Sequence, residues 1–207
     1  MIDLKLTNRK FRSLVEEKFT TAKDNDTGDS RVWMDCRAKW SDGVTSKTIS
    51  AFHVTTKYEA LHNEMPIQSL RYINYRLAID EMDWIYKKKS NNVNDLNSKI
   101  WNQWASEDGT IGKGYGYQVA KKVYDSKLSD DKIDQIDNIL ENLILDPTNR
   151  RLLINLFNID DLSEMNLAPC AYETFFMVEY LEDNYGIVRP KLNVVLNQRS
   201  GDFLVAA

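Results

Sequence analysis

Cys170, in the stretch NLAPCAYETFF at 166–176, has the residue type best suited to covalent chemistry in this chain. A thiolate is the reactive form of cysteine, and a nearby guanidinium stabilises that anion. The arginines set among strand-forming residues are Arg150 and Arg151 in TNRRLLIN and Arg199 in LNQRSGD, where Ser200 and Gly201 follow. Forked cations beside a hydroxyl and a glycine-loosened backbone also suit a phosphate dianion, since each fork donates two hydrogen bonds. Plainer readings stand beside these. A cysteine is commonly buried and inert, and each arginine can serve as a surface partner for an acid, in a chain with 31 Asp and Glu against 27 Lys and Arg.

A second candidate comes from helical periodicity. Leu70, Ile73, Leu77 and Trp84 share one face of a helix, and Glu81 falls on the same stripe. Burial in apolar surroundings disfavours the ionised form, so a carboxyl group there would hold its proton more tightly and could act as acid or base near neutrality. The same position also suits a carboxylate at the stripe's edge that snorkels or pairs with a base. The patch DLNSKIWNQWASEDGTIGKGYGYQ supplies Trp101 and Trp104 three residues apart, which can simply be core. Its glycines lack the spacing of a phosphate-binding loop. They read as a flexible loop presenting Tyr115 and Tyr117, either to orient a water or substrate oxygen or to pack as aromatics.

The elements that must carry these residues are legible in outline. An amphipathic helix is expected over Phe11–Phe19, followed by a polar loop, TAKDNDTGDS. RVWMDCRAKW and SKTISAFHVTTKY read as a hairpin about Asp42-Gly43. A long helix is expected over Ser69–Lys88. SDDKIDQIDNILENLILDP predicts a helix capped by Ser129, stopped by Pro147, and striped by Ile133, Ile136, Leu140, Leu143 and Ile144. RRLLINLFN, YETFFMVEYL and KLNVVLNQRS read as strands, with a short capped helix near NIDDLSEMN. Long helices with non-local strands predict an α+β, or mixed α/β, single domain over 1–207.

Composition narrows the partners. A chain of 207 residues, 43% hydrophobic, can bury roughly 70% of its unfolded surface in one core. A net charge of −4 argues against general nucleic-acid or membrane-surface binding. Two distant cysteines, Cys36 and Cys170, with no apolar leader and no apolar run near 18 residues, predict a cytoplasmic protein with reduced thiols. The only histidines, His53 and His62, form no zinc motif, so no metal is expected.

In order, IDEMDWIY, the Trp101–Tyr117 patch, IDQIDNIL, DPTNRRLLINLFN, LAPCAYETFF and LNQRSGD resemble thymidylate synthase, in the variety found in Bacillus and its phages. The resemblance runs from about Asp35 to the last residue. It implies a homodimer with sheets packed back to back, deoxyuridylate (dUMP) as substrate, and 5,10-methylenetetrahydrofolate as one-carbon donor and reductant. Carried over by residue, it implies Cys170 as the nucleophile that adds to C6 of the pyrimidine, and Glu81 as the group that handles protons through water. Arg37, Arg199 and Ser200 would hold the nucleotide phosphate, with Arg150 and Arg151 reaching across from the partner subunit. Trp101 would stand near the folate site, Tyr115 near the cysteine, and Asp202 at the pterin. Ser69-Leu70-Arg71 stands where the family usually shows Thr-Thr-Lys, which bears on a folate-tail contact. Family members continue well past GDFLVAA, and draw from that region the asparagine that reads the base. The resemblance therefore implies a chain incomplete at its C-terminus. It also leaves two alternatives open: a pyrimidine-nucleotide hydroxymethylase (dUMP or dCMP), and an inactive remnant that only binds nucleotide.

Overall fold

The computed structural model describes residues 34–39, 43–48, 54–59, 67 and 72–201, with the side chains of 34–39 and 45–48 left aside. The helix expected over Phe11–Phe19, both histidines and Ser69–Arg71 lie outside these residues. The chain divides into two compact units, Asn74–Gly201 and the remainder.

In the smaller unit, β1 (Met34–Lys39) pairs antiparallel with β2 (Thr45–Thr48), from Met34 opposite Thr48 to Lys39 opposite Thr45. Gly43, at φ +86°, lies in the connection, where a residue without Cβ turns the chain at little cost. The expected hairpin about Gly43 is present, but residues 54–58, expected to continue its second strand, are not in a strand.

The larger unit begins with α1 (Tyr75–Met82), which runs into a π-helical turn at Asp83–Lys87. Residues 72–74 are not helical, so within the described residues this helix starts later than periodicity suggests. The π turn, closed by Lys88 N–H donating to Asp83 O at 2.8 Å, brings both Trp84 and Ile85 into the core. Trp84 is fully buried, and replacing a buried Trp by Ala costs about 3–5 kcal/mol. Short 3₁₀ turns at Val93–Asp95 and Asn102–Trp104 lead to α2 (Gly116–Ala120). The two-stranded pair β3 (Tyr124–Asp125) and β4 (Lys132–Ile133) precedes α3 (Gln135–Leu145).

Two expectations about α3 are corrected. Its cap is Asp134, whose carboxylate accepts from Ile136 N and Asp137 N, and not Ser129, which sits in the turn between β3 and β4. Its inward stripe is Ile136, Ile139 and Leu143, accompanied by buried Gln135 and Asn142. Leu140 and Ile144 face outward, Ile144 at 74% exposure. The amide of Gln135 explains the phase. It donates to the carbonyls of Gln118 and Asn155 and accepts from Asn155 N, so from the first turn of α3 it satisfies backbone groups of α2 and of residue 155.

The main sheet has the order β5-β6-β7, all antiparallel, from β5 (Leu153–Asn155), β6 (Ala171–Glu182) and β7 (Val188–Gln198). A 3₁₀ segment, Ile159–Glu164, capped by Asn158, lies between β5 and β6 as expected. Alternation along the strands sorts the side chains into two faces. Ile154, Thr174 and Leu196 form one row across the sheet, on the side where Ile154 and Phe176 meet the core. Leu153, Phe175 and Val195 form a row on the opposite side. A bulge at the start of β6 makes Ala171 pair with Gln198 but Glu173 with Asn197, so Tyr172 is the extra residue. The core joins Trp84, Ile85, Val93, Leu96, Trp101, Ile111, Tyr115, Val119, Ile139, Ile154 and Leu156. This mixture of helices and antiparallel sheet is an α+β fold. Among the described residues no helix is long and apolar enough to cross a membrane, and no cluster of three or more His, Cys, Asp or Glu is placed to hold a metal ion.

Candidate active site

Cys170 sits immediately before β6 and Arg199 immediately after β7, so the sheet brings together two residues 29 positions apart in sequence. Arg199 N–H donates to Cys170 O at 2.9 Å, continuing the ladder by one pair. The guanidinium then folds back over the segment ahead of the cysteine. Its Nε donates to Pro169 O at 2.9 Å, and its Nη2 donates to Ala168 O at 2.8 Å and lies 3.8 Å from Cys170 Sγ. Among the described residues no carboxylate pairs with this cation. It therefore keeps charge available for the sulfur and for an incoming anion. Cys170 is half-buried, behind a fully buried Pro169.

On the other side of the cysteine stands Tyr115. Its phenol oxygen accepts the Cys170 N–H at 3.0 Å, across 55 residues of sequence. The expectation of Tyr115 on an open loop is corrected: it is 7% exposed and begins α2. Its ring meets Trp101 edge-on at 5.0 Å. Burial pushes the phenol's pKa up, only partly opposed by the Cys170 N–H, so the hydroxyl is neutral at physiological pH. Tyr117 lies between two ammonium groups, Lys113 at 6.0 Å and Lys121 at 5.6 Å from its ring.

Trp101 carries the cluster on to Glu81. Its indole Nε1 donates to Glu81 Oε1 at 2.7 Å, and its ring stands 5.3 Å from Trp104 and 5.9 Å from Trp84. Burial raises the Glu81 pKa above its usual value, while the indole bond pulls it partway back. Among the described residues no base pairs with it, and the partner found there is the indole of Trp101. A carboxyl group with a raised pKa holds its proton more tightly than a free one, which suits general acid or base chemistry.

The structure thus brings together Cys170, Arg199, Tyr115, Trp101 and Glu81. Ser200 follows Arg199 in sequence and is exposed. Arg150 and Arg151 are exposed in the turn before β5, and their side chains make no hydrogen bond or ion pair among the described residues. The side chain of Arg37, on β1, and all of Asp202 lie outside the described residues. The Trp101–Glu81 bond and the clamp of Arg199 on two carbonyls were not foreseen from the sequence. Neither leaves a trace in spacing, since each joins residues 20 or more positions apart.

Comparison with known proteins places this geometry. The family described as Thymidylate synthase matches residues 30–207. The chain is 40% identical over 172 residues to a thymidylate synthase of Bacillus subtilis subsp. natto, covering 81% of this chain and 57% of that one. It is 38% identical over 172 residues to the thymidylate synthase of Bacillus phage phi3T, with the same coverage of 81% and 57%. A solved structure, thermostable thymidylate synthase A from Bacillus subtilis, superposes with a TM-score of 0.75 at 32% identity, over 97% of this chain and 66% of that one. The chain spans 57% of the length of these two curated relatives.

Proposed function

This chain belongs to the thymidylate synthase family, and from that premise we propose that it serves the reductive methylation of deoxyuridylate to thymidylate. The observation that carries the proposal is the Arg199 guanidinium, unpaired with any acid among the described residues, with Nη2 3.8 Å from the Cys170 sulfur. That places a fixed cation beside the sulfur that must add to C6 of the pyrimidine. The same guanidinium donates twice to the carbonyls of Ala168 and Pro169, and its remaining donors suit the nucleotide phosphate, together with Ser200 and Arg37. Glu81, with its raised pKa, handles the protons of the ring through water, and Tyr115 orients a water or substrate oxygen beside the cysteine. When bound, 5,10-methylenetetrahydrofolate supplies the one-carbon unit and the reducing hydride. Trp101 is the flat wall on which the folate would rest, backed by Trp104 at 5.3 Å, and Asp202 would meet the pterin.

The functional unit in this reading is a homodimer in which Arg150 and Arg151 reach the partner's phosphate site. The row Leu153, Phe175 and Val195 supports it, because Val195 is 52% and Met177 on the same face 42% exposed. Arg150 and Arg151, without an acid partner among the described residues, fit an anion supplied by another subunit.

The test is chemical. Deoxyuridylate should slow alkylation of Cys170 relative to Cys36, and fluorodeoxyuridylate with methylenetetrahydrofolate should form a stable complex through Cys170. Equal alkylation of the two thiols, unchanged by nucleotide, would show that the site is not assembled. A hydroxymethylated product would replace the methyl-transfer reading with hydroxymethyl transfer.

A further inference from the structure

We infer that Tyr115 is a positioning residue for the nucleophile: its phenol oxygen, as hydrogen-bond acceptor, holds the Cys170 peptide where Sγ can meet Arg199. This rests on the reading of Cys170 as the nucleophile, and it assigns Tyr115 a task separate from orienting water. Three observations lead to it. Tyr115 occupies φ +39° and ψ −101°, in the half of backbone space that a residue with a Cβ rarely adopts. Such conformations persist only where surrounding contacts enforce them, and they gather at functional sites. The enforcing contacts are present. Behind Tyr115, Gly116 is pressed so close to Ser90 that a Cβ there would fall 1.9 Å from the Ser90 carbonyl oxygen. In front, the Trp101 ring confines the phenol at 5.0 Å.

The beneficiary is a backbone group in need of a partner. Pro169 has no N–H, so Cys170 N–H is the first donor ahead of β6, and the partner it finds is the Tyr115 oxygen at 3.0 Å. A half-buried N–H without an acceptor is costly, and the peptide would rotate to find one. Rotation of that peptide moves Sγ relative to a guanidinium already anchored on Ala168 and Pro169. Tyr115 and Arg199 thus both hold the cysteine, the phenol through its N–H, and the arginine with its guanidinium beside the sulfur and its backbone N–H on the carbonyl.

The test compares native protein with Tyr115→Phe, which keeps the ring and removes the oxygen. Alkylation by iodoacetamide is followed by peptide mass spectrometry from pH 6 to 10, with Cys36 as internal reference. Loss of the bond should slow Cys170 at pH 7 by roughly fivefold, the scale of one neutral hydrogen bond. It should also displace the midpoint of the Cys170 profile upward while leaving Cys36 unchanged. A residue that served packing alone would not move that midpoint, and an unchanged midpoint overturns the inference. Should the variant fail to fold, amide exchange in the native chain decides. The Cys170 N–H should exchange far more slowly than a free amide, and exchange at the free rate overturns the inference. Failure of nucleotide to protect Cys170 in the native protein would remove the catalytic reading but leave this comparison intact.

Discussion

Glu81 and Asp161 are both carboxylates drawn out of bulk water, and the regions around them treat negative charge in opposite ways. Around Glu81 stand Trp101, with Trp84 against it, and among the described residues its one hydrogen bond comes from an indole. Burial dominates, and the pKa rises. Asp161, 6% exposed on the 3₁₀ segment before β6, is met by the ammonium groups of Lys113 and Lys121, the amide of Gln118 and the amide of Asn158. These partners hold its pKa down to about 2, Lys121 most strongly. The contrast separates a carboxylate held charged by its partners from one whose surroundings favour its protonated form. It follows from partner type, since burial alone would push both upward.

The largest effects should come from neutralising each acid in turn. Glu81→Gln should slow exchange of the substrate's ring hydrogen by about 10² to 10³, the usual worth of a positioned acid or base, with the melting temperature held or raised. Asp161→Ala should do the reverse. It strands the Lys121 ammonium and removes the acceptor of the Gln118 and Asn158 amides, while Lys113 keeps Glu164, so the melting temperature should fall by roughly 5–10 °C in thermal denaturation, while iodoacetamide still distinguishes Cys170 from Cys36. If Glu81→Gln unfolds the chain and Asp161→Ala only slows turnover, the contrast is inverted and the assignment of roles is lost.

The pH dependence of stability sharpens the same contrast more finely. The Asp161 pKa is depressed from 3.8 to about 2, so its contribution is complete above pH 3.8 and is lost as the pH falls toward 2. Asp161→Asn should remove that part of the acid limb in urea titrations. For Glu81 the sign reverses. Its pKa is raised above 4.5, so its contribution is complete below pH 4.5 and is lost as the pH rises through the folded value. Glu81→Gln should flatten that decline, and an unchanged profile would mean that the carboxylate is solvated. The smallest effect is expected from Trp101→Phe. Without the indole donor, burial acts unopposed, so the Glu81-dependent limb of the pH–rate profile should move upward with only a few-fold loss of rate.

Much of this arrangement could be read before any coordinates. Strands β6 and β7 follow from runs of β-branched and aromatic residues, the short capped helix from NIDDLSEMN, and a thiol served by a guanidinium from the residue types, while the pairing of the two strands that brings Cys170 and Arg199 together was not read. Glu81 was visible as a carboxylate out of place on an apolar face. What escaped was decided by distant partners. SDDKIDQ offers several side chains able to cap a helix, and Asp134 prevails because residues 132–133 are drawn into pairing with 124–125. The stripe of α3 allows two phases, and the buried amide of Gln135 selects the one that apolar counting ignores. Tyr115 stands among partners set far along the chain, with Ser90 against Gly116 and Cys170 N–H on its phenol 55 positions away. No local rule foretells such a placement.

The extra residue at Tyr172 has a consequence for how the thiol finds its cation. Counting regularly from Glu173 opposite Asn197 would set Cys170 across from Ser200. The inserted residue offsets the count by one, so Cys170 comes to face Arg199, as the 2.9 Å bond from Arg199 N to Cys170 O records. The hairpin therefore works as a vernier: eleven residues of β7 measure out the length, and a single residue out of step selects a charge in place of a hydroxyl.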